Sequence, residues 1–259
     1  MLQGLALTGS FLLLWQALDR VEWVEKLGVK AFSAATEKKI GDFLIDTLVP
    51  PGDEVNDEEI KHPTDSLARK ICRENHIDSA SLKIHIVKKD DINAFALPDR
   101  HLVIYTGLIK FCDSPEELCG VMAHEMAHIE LEHVVQKLAK EVGLSVLISA
   151  AGGGGTEIMK EAAKTLSSSA FDRKLEKAAD FKAVDYLLKA RINPEPFSDF
   201  LYKMADKNPA MANYTWLSTH PDSNERAEYI LERVKASKKP DSYIVLFSAA
   251  QWEKIKGAL

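Results

Sequence analysis

The stretch from Ser114 to His128 constrains this chain more than any other. Ser114 is a good helix N-cap, Pro115 suits the first turn because the N–H it lacks has no partner there anyway, and Glu117 completes a capping box. The spacing predicts a helix from Pro115 onward. That helix carries His124-Glu125-Met126-Ala127-His128. Two imidazoles four residues apart share a helical face and reach one metal ion, with Glu125 beside the first: the H-E-x-x-H pattern. With eight histidines in 259 residues, chance produces this pattern in roughly two sequences in a hundred. Leu118, Val121, Met122 and Ile129 surround the pair. Histidines held among apolar side chains need a shared partner, since a buried polar group without one is costly.

A zinc site of this kind needs a third protein ligand. Leu131 and Val134 stand where the metzincin pattern requires glycine and histidine, and on a continuous helix His133 faces away from the pair. A distant carboxylate is therefore expected. Glu176 and Asp180, in Leu175-Glu176-Lys177-Ala178-Ala179-Asp180, share one helical face and suit a ligand and an acceptor for a ligating imidazole. Without the H-E-x-x-H pattern they would read as an ordinary solvated face. Further on, Ser218-Thr219-His220-Pro221 leads into Arg226 near a helix start. His220 and Arg226 suit two donors to an oxyanion; taken alone they are equally a turn and a helix cap.

Residues 81–89 alternate Leu82, Ile84 and Ile86 with Lys83 and His85, the mark of a half-buried strand; 101–107 is a second strand, and Asn93 to Pro98 an extended piece between them. Beyond Gly107 the pattern is helical. Residues 50–63, acidic and bounded by prolines, read as a linker or a surface loop, after which Thr64 caps a helix. The run Gly152 to Gly155 lacks the order of a phosphate loop and reads, after the apolar Gly143 to Ala151, as a helix end followed by a loop. The first eighteen residues carry no charge and as a helix would span about 27 Å, which suits a membrane anchor, an uncleaved signal or a buried helix. Thirty-three basic against thirty-nine acidic residues, a net charge of −6, argue against nucleic acid, and three cysteines without a C-x-x-C pair support neither a disulfide scaffold nor a cysteine zinc module.

Five ordered blocks, NAFALP (93–98), TGL (106–108), EELCGVMAHEMAHIELEH (116–133), RKLEKAAD (173–180) and STHPDSNER (218–226), resemble zinc metallopeptidases of the HtpX, BepA and CAAX prenyl protease type. The resemblance spans about residues 64–235. It implies an α+β fold: a mostly α-helical gluzincin domain, expected over residues 64–259, with a small β-sheet whose edge strand binds peptide. It also implies one Zn2+ on His124, His128 and Glu176, with Asp180 orienting a ligand histidine and His220 and Arg226 at the active site. In some relatives the histidine matching His220 also ligates zinc in a latent state. Residues 1–20 are then the candidate anchor or signal and 21–63 an N-terminal segment with its linker. The chain departs from multi-span HtpX in its single candidate membrane segment and from BepA in having no tetratricopeptide tail.

The expected activity is endoproteolysis of unfolded or damaged envelope proteins, with Glu125 as general base. Asn93, Ala94, Phe95 and Ala96 would take the substrate as an added strand, favouring extended, unfolded segments. The competing expectation is a zinc-binding chaperone or adaptor for misfolded envelope proteins, which would have no use for a base. The resemblance favours a membrane-associated protein with its catalytic domain in the bacterial periplasm.

Overall fold

Alternating side chains build a three-stranded sheet of order β1-β3-β2, with β1 at Lys83–Val87, β2 at Ala94–Leu97 and β3 at His101–Tyr105. β3 runs parallel to β1 and antiparallel to β2, pairing Ile86 with Ile104 on one side and Ala96 with Leu102 on the other. Because neighbouring residues of a strand face opposite ways, Leu102 and Ile104 enter one apolar cluster while Val103 and Tyr105 enter another. The sheet is thus a wall between two cores. The computed structural model describes residues 33–143, 147, 155–206 and 215–259.

The smaller core lies under α1 (Ala34–Leu48), α5 (His133–Leu138) and α6 (Thr156–Ser168). The larger is built by α2 (Glu58–Glu74), α3 (Thr106–Phe111), α4 (Pro115–Glu130), α7 (Arg173–Lys189) and α8 (Glu195–Asp206). It is completed by α9 (Thr215–Thr219), α10 (Ser223–Ala236) and α11 (Ala249–Gly257). This is the mostly helical α+β domain expected from the sequence.

α4 is buried on every side from Glu117 to His128, which its apolar run requires, since only a core helix hides such a surface. Ser114 caps it by accepting the Glu117 N–H at 3.2 Å. The capping box is half formed, however: the Glu117 carboxylate accepts from the Asp113 N–H and from Lys203 Nζ of α8 instead of reaching back to Ser114. A cation within reach outcompetes a neutral donor. At Gly120 a Cβ would come within 2.4 Å of Phe197 Cβ, so glycine lets α8 approach α4 one turn before the histidines.

α2 begins earlier than the sequence suggested. Asp57, not Thr64, supplies the cap, accepting the Glu59 N–H at 2.8 Å, and Pro63 lies inside the helix. Glu58 and Glu59 favour a helix N-terminus and buried Ile60 anchors the first turn, which together offset the one hydrogen bond that proline forfeits.

The free edge of β1 is covered by residues 53–55, with Val55 N–H on the Ile86 carbonyl and Lys88 N–H on that of Asp53. Side chains reinforce this seam: Glu54 Oε1 meets His85 Nδ1 at 3.1 Å, and His85 Nε2 meets His101 Nδ1 at 2.9 Å. Burial, with Lys83 and His85 adding to it, pushes His101 down to about 4. The unfolded chain therefore takes up a proton near pH 6.5 that the folded chain refuses until about pH 4, so stability falls as pH drops through that window. The expected loss is about 1–2 kcal/mol, allowing for solvent screening. Urea midpoints across pH 4–7 should show it, and His101→Gln should remove that share.

No helix among the described residues is long and apolar enough to cross a membrane. The apolar N-terminal run lies outside the described residues, as do most of Gly143 to Ala151 and the start of the glycine run.

Candidate active site

Three separate stretches deliver the polar groups at the centre of the larger core. α4 and α7 pack closely along each other, placing Glu176 and Asp180 opposite His124 and His128, and α9 delivers His220 at its end. All are buried: His124 and His128 are 0 % exposed, His220 1 % and Glu176 2 %.

His124 Nε2 lies 3.0 Å from His128 Nε2 and 3.3 Å from His220 Nδ1, while Glu176 Oε1 lies 3.3 Å from His128 Nε2 and 3.0 Å from His220 Nδ1. A fifth approach, His124 Nε2 to Glu176 Oε2, is 3.7 Å. Metal–nitrogen bonds of about 2.0–2.1 Å in a tetrahedron place donors roughly 3.3 Å apart. The four donors fit the corners of one metal site.

Their charges fit as well. Burial pushes His124 down to about 3 and lowers His220, so both are neutral and keep a lone pair. Burial opposes ionisation of Glu176, yet His220 and Arg226 hold its carboxyl well below the usual range. The set is three imidazoles and one carboxylate, a borderline nitrogen and oxygen environment suited to a divalent transition ion.

Asp180 lies behind His124, with Oδ1 2.8 Å from Nδ1. Arg226 grips Asp180 with Nε at 2.9 Å and Nη2 at 2.8 Å, and its Nη1 reaches Glu176 Oε2 at 2.7 Å. The guanidinium is thus taken up by the two carboxylates, and Tyr229 Oη donates to Asp180 as well.

Glu125 points into the same space. Its Oε2 accepts the Ala96 N–H at 3.1 Å and its Oε1 the Trp216 indole N–H at 3.2 Å, with His220 Nε2 3.3 Å from Oε1. Burial raises its carboxyl to about 7. The bond from Ala96 brings β2, an edge strand of the sheet among the described residues, directly to this carboxylate. Ala94 and Ala96 are buried, Phe95 is half-buried, and Asn93 carries a buried Oδ1 with no partner among the described residues.

Residues not singled out from the sequence complete the site. Trp216 stacks on His220 with ring centroids 4.6 Å apart, and the Arg226 guanidinium lies 4.9 Å from the Trp216 ring. Phe171 covers the opposite side, 4.2 Å from the His128 ring and 5.6 Å from that of His220, with Lys137 Nζ 4.1 Å above it. Trp216 stands four residues before His220, a helical spacing that marks a shared face. Nothing local in the sequence marks Phe171.

The sequence profile of peptidase family M48 matches residues 55–234. Among curated proteins, the chain is 30% identical over 165 residues to a mitochondrial metalloendopeptidase OMA1 of Bos taurus, covering 57% of this chain and 31% of that one. It is 27% identical over 169 residues to metalloprotease LoiP of Escherichia coli strain K12, covering 62% and 66%. To the beta-barrel assembly-enhancing protease of the same strain it is 23% identical over 208 residues, covering 73% and 42%. The matched stretch spans from about a third to just under two thirds of these relatives' length.

Proposed function

The chain belongs to peptidase family M48, and from that membership and the geometry around His124 we propose that it is a zinc-dependent endopeptidase acting on unfolded or damaged polypeptides. The observation that carries this reading is the convergence of His124, His128, Glu176 and His220 at tetrahedral spacing with the Glu125 carboxylate beside them. Lewis-acid polarisation of a water and of the scissile carbonyl is the chemistry the ion supplies when bound.

The protein's own groups do the rest. His124, His128 and Glu176 would hold the ion, and Asp180 fixes the His124 ring by accepting its Nδ1–H. Glu125 takes the proton of the attacking water and returns it to the leaving amine, its carboxylate aimed by the Ala96 and Trp216 N–H groups. His220, whose Nδ1 lies among the other three donors, would have to turn away to admit water and substrate and would then donate to the oxyanion. Arg226, placed from sequence beside the oxyanion, serves by locking Glu176 and Asp180, because both carboxylates already engage its guanidinium.

Substrate joins the edge of β2 over Asn93 to Ala96 through main-chain groups other than the Ala96 N–H, which Glu125 holds, a mode that selects extended chains rather than a strict sequence. One relative is named for beta-barrel assembly and another as mitochondrial; on the resemblance to envelope peptidases, the periplasmic face of a membrane is the location we propose.

Unfolded casein is the direct test. Cleavage is expected with the purified protein, to be abolished by a chelator and restored by added zinc. Casein bound but left intact under all three conditions would favour the holding chaperone instead.

A further inference from the structure

On a continuous helix His133 would face away from the metal cluster, yet its Nδ1 lies 3.1 Å from Nδ1 of His128. The cause is a break in the helix. α4 ends at Glu130, Glu132 takes a left-handed conformation with φ of 57°, and α5 starts at His133. That reversal swings His133 back against the ring it would otherwise have left behind, with centroids 5.0 Å apart and planes at 74°. His133 is itself buried, 4 % exposed.

We propose that His133 is a positioning residue for the metal centre: it fixes the tautomer and the ring plane of His128. This deepens the reading of the site as a metal centre and rests on it. His128 directs Nε2 toward His124 and Glu176, so its proton belongs on Nδ1, where His133 accepts it. A ligating imidazole whose outer N–H has no acceptor loses both its preferred tautomer and its orientation.

The two ligand histidines are therefore held by chemically different groups, a carboxylate behind His124 and a neutral imidazole behind His128. Charge explains the difference. With a divalent ion, Arg226 and the buried Lys137 already face the three carboxylates Glu125, Glu176 and Asp180. A carboxylate at position 133 would be a fourth in this space and a further buried charge to desolvate, which a neutral acceptor avoids.

The test is zinc affinity, measured by competition with a chromophoric chelator on the full chain. His133→Leu fills similar space without an acceptor and should weaken zinc binding about 10–100-fold. His133→Asn keeps an acceptor near the Nδ1 position and should recover most of that loss. Unfolding of the metal-free proteins should show similar midpoints, which separates a lost acceptor from a lost fold. Wild-type affinity in the leucine variant, or equal losses in both variants, would overturn the role of His133 while leaving the metal centre intact. A wild-type protein that binds no zinc would overturn the metal centre itself.

Discussion

Glu125→Gln should hold zinc as tightly as the wild type and cleave casein 100- to 10,000-fold more slowly, the range over which general acid–base catalysis contributes. The amide matches the carboxylate in size, so the positions of His124 and His128 are kept, but it takes up no proton at neutral pH. Burial already raises the Glu125 carboxyl to about 7 in the metal-free chain, near the value at which a base both accepts and releases a proton readily. A second consequence follows from its two donors, the Ala96 N–H and the Trp216 indole. An amide offers one oxygen where the carboxylate offers two, so one donor faces an NH2 group. That mismatch should cost about 1–3 kcal/mol in the closed arrangement. Activity and metal content measured on one preparation check the first expectation; full activity would remove Glu125 from the role of base.

The largest effect on stability is expected at Arg226. Its guanidinium is 2 % exposed and bridges Asp180 and Glu176, both in the core. Burial opposes ionisation of Asp180, but Arg226 and His124 hold its carboxyl far below the usual range. Arg226→Met keeps most of the side-chain volume and leaves those charges without their counter-ion, a loss that typically costs about 3–5 kcal/mol. Denaturant midpoints on metal-free protein should fall accordingly. Zinc should restore part of the difference by compensating Glu176. An unchanged midpoint would mean that water, not Arg226, satisfies the two carboxylates.

How much of this was legible in the sequence depended on how local each cause is. The start of α4 was readable because Ser114 and Pro115 act within one turn, and its face because two histidines at that spacing admit one geometry. Only the far half of the capping box failed, where Lys203 of a distant helix intervened. Glu176 and Asp180 gained meaning solely from the H-E-x-x-H pattern, since a charged pair on a helix is usually solvated. The contact of His133 with His128 was hidden because the break after α4 uses Glu132 in a left-handed conformation, with no glycine or proline to announce it. α2 was misread for the opposite reason: Pro63 looked like a boundary, whereas the cap at Asp57 and burial of Ile60 carry the helix through it. Phe171 reaches the site through tertiary packing alone.

Two histidines on one helix are common enough; what distinguishes the proposed metal centre is the carboxylate that α7 brings to them. Zinc content after exhaustive dialysis, compared between wild type and Glu176→Gln, tests that convergence most directly. One zinc per wild-type chain and a substantial loss of zinc from the variant are expected, with casein cleavage lost in parallel. Wild-type zinc occupancy and affinity in the variant, or a wild type that retains none, would contradict it.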